Sequence, residues 1–232
     1  MQLKLVSKVD EARGTKSFFW ELETKVDWLP GQYFYFTLPK LNYTDERGAT
    51  RHFTISSSPT EGNLLRLTTR IRQESGYKKT LDELPIGSIV EGEGPQGTLC
   101  LDAKMSGNQV FVAGGIGITP FRSMIKYNID TNLKIPMYLI YSNSDSDFVF
   151  KKELDEWQQA NDYIKVVYFD SSVSGHLDQS KIMELIGNWK LEIGDSVLWT
   201  VGPPPFTDAI EEVFEKMKIP SDNIRSEKFT GY

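Results

Sequence analysis

Two short stretches of the chain hold residue types that could act together. Thr50-Arg51-His52-Phe53-Thr54 sets a guanidinium, an aromatic ring and a hydroxyl within one strand's length. These are a fork for phosphate, a flat stacking surface and a hydrogen-bond donor, a combination that suits a flavin. Arg51 and Phe53 share one face of such a strand and Thr54 the other, so the hydroxyl needs a local bend to join them. The second stretch, Val110 to Phe121, runs VFVAGGIGITPF. A β-type run feeds Gly114, Gly115 and Gly117 and then a helix start, with Thr119 read as the cap and Pro120 as the first helical residue. Glycines let a ligand approach the backbone closely, and free N–H groups at the positive end of a helix favour a phosphate. The spacing is not G-x-G-x-x-G, and an ordinary strand-to-helix turn stays open as the alternative.

A third candidate lies at Gln73 to Leu81, where a glycine turn enters a helix. Its backbone offers a second anion site over Gly76, Tyr77, Lys78, Lys79 and Thr80. The two lysines read equally well as a solvated pair. Cys100 is the only cysteine, and it is read as a small core residue closing an apolar strand, GTLCL. One cysteine leaves no intrachain disulfide, four-thiolate cluster or cysteine zinc site. His52 and His176, the only histidines, lack a second ligand at metal spacing, so no metal is expected.

The elements that must position these groups fall into two kinds. Residues 1–103 read as β structure: LKLVSKV, SFFWELE, QYFYFTL, RHFTISS, LLRLTTRI, SIVEGEG and GTLCL recur between Gly, Pro, Asp and Asn clusters. A compact antiparallel barrel with one short helix, Lys78 to Leu84, accounts for them. Residues 104–232 alternate strands and helices. The strands are VFVAG, IPMYLIYSN, IKVVYFD and DSVLWTVG, with IRSEKF as a candidate fifth. The helices are near Pro120–Asn128, Phe148–Asn161, Ser180–Trp189 and Phe206–Lys218. That alternation marks a parallel sheet with crossover helices, whose ligands bind at the carboxyl ends of the strands. Gly114 to Pro120, Ser142 to Asp147, Asp170 to Ser174 and Gly202 to Pro205 all fall there and should converge. The Gly202-Pro203-Pro204-Pro205 turn reads as a stiff wall beside the glycine turn.

A formal charge of −6 over 232 residues argues against nucleic acid as a partner. No apolar run reaches the roughly 18 to 20 residues of a membrane span, and the first residues lack a signal peptide's apolar core, so a cytoplasmic protein is expected.

Taken together, these segments resemble the ferredoxin–NADP reductase superfamily, with its flavin reductases and oxygenase reductase components. RHFT matches the family's Arg-x-Tyr/Phe-Ser/Thr flavin motif, GGIGITP its pyridine-nucleotide loop, VGPPPF its Cys-Gly-Pro-type motif, and Glu227-x-Phe229 its carboxyl-terminal Glu-x-Phe. The resemblance implies a six-stranded antiparallel flavin-binding barrel followed by an NAD(P)-binding α/β domain. By it, Arg51 holds flavin phosphate, Phe53 packs on the ring and the Thr54 hydroxyl sits near flavin N5. Thr68 and Thr69 fall where the family's backbone contacts the ring or ribityl chain, and Thr80 substitutes for a displaced serine in the second phosphate segment. Gly114, Gly115, Ile116, Gly117, Ile118, Thr119, Pro120, Ser142, Asn143, Gly202, Pro203 and Pro204 are assigned to the nucleotide. Glu227 and Phe229 flank the nicotinamide approach, and with Thr54 make up the expected catalytic set. The family's cysteine is Val201 here, which bears on rate more than on reaction, and neither a plant-type ferredoxin domain nor a globin is expected.

The implied activity is hydride transfer from NAD(P)H to bound FAD, with FMN the alternative, and then electron transfer to a protein, a quinone or free flavin. NADH is favoured because Ser142 to Asp147 supplies two aspartates and no cation for a 2′-phosphate. An electron-transfer subunit for a separate iron–sulfur or haem chain, and a non-catalytic flavin-binding sensor, are the other readings. A serine hydrolase is set aside, since Ser56 to Ser58 lack a nucleophile elbow.

Overall fold

The computed structural model describes every residue except 103, 192, 193, 195, 231 and 232. The first half is one six-stranded sheet built from β1 (Gln2–Ala12), β2 (Thr15–Leu22), β3 (Tyr33–Thr37), β4 (Thr50–Thr54), β5 (Leu64–Arg70) and β6 (Ile89–Gln96). Their order is β4-β3-β6-β1-β2-β5, and every neighbouring pair is antiparallel. A lone antiparallel bridge between Ile55 and Leu67 brings the two edges together, which closes the sheet into a barrel. Alternation decides what lies inside: Phe34 and Phe36 point in from β3, while Tyr33, Tyr35 and Thr37 point out. Leu3, Leu5, Phe18, Trp20, Leu65 and Leu67 complete this core.

The short helix α1 (Gly76–Glu83) starts two residues before the expected Lys78, because Ser75 caps it through the Lys78 amide. It drives Tyr77 and Leu81 into the barrel core. GTLCL forms no strand. Leu99 and Leu101 are buried, but against Phe121 and Met124 of the second half. Cys100, between them, is half-buried; burial and the nearby Asp102 raise its thiol pKa. The expected boundary at 103/104 lies partly outside the described residues, and these two leucines reach across it.

The second half alternates β7 (Asn108–Gly114), α2 (Ile118–Asp130), β8 (Met137–Asn143), α3 (Lys151–Ala160), β9 (Ile164–Asp170), α4 (Ser171–Ser174), α5 (Gln179–Asn188), β10 (Ser196–Gly202), α6 (Pro204–Lys216) and β11 (Ile224–Lys228). The sheet order is β11-β10-β7-β8-β9, parallel throughout. IRSEKF therefore supplies the fifth strand, on an edge. β7 and β8 are buried almost end to end, as strands covered by helices on both faces must be. Phe111, Phe121, Leu139 and Trp199 fill one face, and Val112, Ile140, Leu198 and Phe214 the other.

The glycine turn differs from its reading in sequence. A single 3-10 turn over 115–117 follows β7, and α2 begins at Ile118 with Gly117 as its uncapped first boundary. Thr119 does not cap; its hydroxyl donates to the Ile116 carbonyl at 3.1 Å, and Pro120 lies inside the first turn.

Candidate functional site

One cleft lies where the barrel meets the parallel sheet. From the barrel it is lined by Arg51, His52, Phe53, Thr54, Thr68, Thr69 and Lys78, with Arg47 from the loop before β4. Ile116 and Thr119 come from the glycine turn and α2, and Phe229 and Thr230 from the segment after β11. Residues far apart in the chain, read separately as a flavin strand and a nucleotide loop, thus face one space. Arg51, His52, Phe53 and Thr54 all border the cleft, at the end of β4, although successive side chains of a strand alternate in direction.

The walls are chemically graded. Phe53 packs between Phe36 and Tyr77, each at 6.0 Å between ring centroids, and presents an aromatic surface. His52 stacks on Tyr33 and Tyr35 at 5.0 and 5.5 Å, and burial with the Arg47 charge lowers its pKa, so it is neutral at pH 7. Opposite in character is the cationic end, with Arg47, Arg51 and Lys78. Burial, aided by Arg72, pushes the Lys78 ammonium down to about 8. An aromatic wall, a set of threonines and a cationic end fit a ligand with a planar ring and an anionic tail.

Several predicted residues do not reach the cleft, for stated reasons. Tyr77 is in the barrel core, where its hydroxyl donates to the Phe36 carbonyl at 2.9 Å. Thr80, read as the substitute for the family serine, has its hydroxyl engaged within the fold, donating to the Gly76 carbonyl and accepting from the Asn42 amide. Lys79 lies over the Tyr43 ring at 3.8 Å. Ile118 and Pro120 are buried in packing. Gly76 is explained by the chain itself: a Cβ there would meet the Thr44 carbonyl oxygen at 2.3 Å.

The same holds for the other turn. A Cβ on Gly114 would strike the Phe206 ring at 2.5 Å, and one on Gly117 the Val201 carbonyl oxygen at 2.1 Å. Gly202 likewise lies 2.8 Å from Phe206 by that measure. The glycine turn and the Gly202-Pro203-Pro204 turn are therefore interlocked, and those glycines serve backbone packing. Only Gly115, with φ of +55° and no protein backbone close by, keeps its approach open. The atom nearest to its absent Cβ is Nη2 of Arg70, at 3.3 Å.

Arg70 belongs to an adjoining cleft of about 600 Å³ that also holds Arg13, Arg72, Asn143, Asp145 and Asp147. It donates to Asn143 Oδ1 at 2.7 Å, while the Asn143 amide nitrogen is taken by Asp145 and the Asp147 carbonyl. Ser142 is buried beside it. Sequence reasoning missed Arg13, Arg70 and Arg72 because the segment after β8 that shares their cleft is some seventy or more positions away; the Arg70 guanidinium bonds Asn143 and the Arg13 amide bonds Asp147.

Glu227 lines neither cleft, but its register opposite Val201 brings it to the carboxyl end of the sheet, where its charge is felt by Tyr33 of the barrel. Burial raises its carboxyl to about 7. The next residues return to the site, held by the Phe229 amide donating to the Gly202 carbonyl at 2.8 Å.

Comparison with known proteins agrees with both halves. Residues 2–100 match the family model for the oxidoreductase FAD-binding domain, and residues 111–212 that for the oxidoreductase NAD-binding domain. Flavohemoprotein A of Dictyostelium discoideum is 25% identical over 237 residues, spanning 96% of this chain and 58% of that protein. The 2-halobenzoate 1,2-dioxygenase electron transfer component of Burkholderia cepacia is 28% identical over 212 residues, spanning 89% of this chain and 60% of that protein. The chain thus spans well under two thirds of these curated relatives. In three dimensions it resembles the FAD/NAD-binding domain of nitric oxide dioxygenase from Vibrio cholerae, with a TM-score of 0.82 at 17% identity, covering 98% of each chain.

Proposed function

We propose a function from one premise: this chain belongs to the ferredoxin–NADP reductase superfamily, as an FAD- and NAD-binding oxidoreductase. It takes hydride from NADH in the inter-domain cleft and passes electrons to an acceptor. The observation that carries this is the convergence of Phe53, Thr54, Ile116 and Phe229 on one space. Bound flavin would supply a two-electron acceptor able to release electrons singly or as a pair.

The chain's own residues do the rest. Phe53 offers the ring a packing surface, and the Thr54 and Thr68 side chains border it. Arg47 and Lys78 set positive charge at one end of the cleft, where they orient a ring that carries an anionic tail, while Arg51 at the same end is engaged by Asp45. Phe229 covers the opening from the parallel-sheet side and, with Ile116, excludes water from the meeting point. Gly115 and Arg70 present an open backbone and a cation to the diphosphate of the pyridine nucleotide. Holding two reactants in one space makes their reaction effectively intramolecular.

NADH is favoured because Asp145 and Asp147 lie at the carboxyl end of β8 and repel a 2′-phosphate. Arg13, Arg70 and Arg72 line the same cleft, but Arg70 is directed to Asn143 and the glycine turn. Anaerobic stopped-flow bleaching of the flavin absorbance tests this: reduction by NADH should exceed that by NADPH at equal concentration. Equal or faster reduction by NADPH refutes the preference. The names of relatives such as the dioxygenase electron transfer component support a separate protein as acceptor.

A further inference from the structure

The two segments read in sequence as phosphate sites do meet, and they meet on an anion that belongs to the chain. Asp45 is buried between Arg51 of β4 and the first turn of α1, with 7% of its side chain exposed. Oδ1 takes the Arg51 guanidinium and the Arg47 amide, the latter at 3.0 Å. Oδ2 takes the Ser75 hydroxyl at 3.1 Å and the Tyr77 amide at 2.9 Å. The other guanidinium nitrogen, Nη1, donates to the carbonyls of Arg47, Gly48 and Thr50. The loop that carries Asp45 is strapped along the helix by Asn42, whose amide donates to Thr80 and whose side chain donates to Glu83. It is pressed against Gly76, where any side chain would collide with the Thr44 carbonyl.

We infer that Asp45 is a built-in substitute for phosphate that determines how the cleft ranks its flavins. A carboxylate offers the same paired oxygen acceptors as a phosphate, and here it occupies donors from both segments. Its charge also offsets that of Arg51, so an incoming phosphate meets a weaker field and a partly saturated donor set. Lys78 and Arg47 are the other cations that line this end of the cleft. Recognition therefore falls on the ring system, through Phe53 and the threonines, and phosphorylated flavins gain little over riboflavin. Flavin held in this way exchanges with solvent.

This inference rests on the flavin reading of the cleft, and one set of binding measurements separates the two. Riboflavin, FMN and FAD are titrated into the purified full chain and into Asp45→Asn, following quenching of flavin fluorescence. For the unmodified chain the three affinities should lie within about tenfold of one another, and Asp45→Asn should bind FMN and FAD about tenfold more tightly with riboflavin unchanged. Binding of FMN and FAD that is weakened or unaltered in Asp45→Asn overturns the inference. So does an unmodified chain that binds FMN or FAD more than about a hundredfold tighter than riboflavin, a ranking that decides the matter even if the variant does not fold. Failure of all three flavins to bind the unmodified chain defeats the flavin reading, and this inference with it.

Discussion

Glu227 shows how one side chain ties stability to pH. Burial raises its carboxyl to about 7, against an unfolded value near 4.5. Between those values the folded chain holds a proton that the unfolded chain has lost, so stability falls as pH rises from about 4.5 to 7 and then levels off. Glu227→Gln should remove that slope, measured as urea midpoints across pH 5 to 8. If the residue also flanks the nicotinamide approach, flavin reduction by NADH should titrate near pH 7 and lose that titration in the variant. At this scale the sequence was informative where a motif is local. Arg51, Phe53 and Thr54, read from one short stretch, do line one cleft. Asp45 was not legible: the Arg47 amide is a local donor within its own loop, and only the folding of α1 against β4 brings Arg51, Ser75 and Tyr77 to its carboxylate as well. Burial opposes ionisation of Asp45, but the amides of Tyr77 and Arg47, the Ser75 hydroxyl and Arg51 outweigh it and hold its pKa below the usual range.

Elements were legible where hydrophobic period and turn chemistry agree. All four crossover helices and both types of sheet follow from that agreement, and the helix ends differ by a few residues because capping chooses the boundary. GTLCL was misread since alternation of apolar residues also suits a linker that packs its leucines on a neighbour. A glycine that admits a ligand and one that admits another strand look the same in sequence, and at Gly114 and Gly117 the close contacts of the fold already require the absence of a side chain. Their roles can be separated by substitution. Gly117→Ala would drive a methyl group onto the Val201 carbonyl, where backbone must move, and should cost about 1 to 3 kcal/mol of stability in urea unfolding.

At the scale of the molecule, the two halves are joined by a buried ionic network that no local pattern announces. Arg122 of α2, 1% exposed, donates to Glu61 at 2.9 and 3.0 Å, to Glu153 at 2.7 and 2.8 Å, and to the Ser56 carbonyl at 2.6 Å. Arg66 of the barrel completes it, through Glu153 at 3.0 Å and Glu11 at 2.6 Å. Removing Arg122 takes away charge-assisted bonds to Glu61 and Glu153, both partly exposed, and leaves the Ser56 carbonyl without that donor, while Arg66 still faces Glu153; Arg122→Ala should cost about 1.5 to 3 kcal/mol in urea unfolding. Acid acts on the same joint. Burial alone would raise the Glu153 pKa, but Arg122 and Arg66 hold it below 4.5, so its contribution is complete above that pH and is lost as pH falls through the folded value. The leucines at 99 and 101 carry a separate consequence for anyone dissecting the molecule. They are plugs lent by one half to the other, so a fragment begun at position 104 would be left with an oily socket, and the useful cut lies upstream of Leu99.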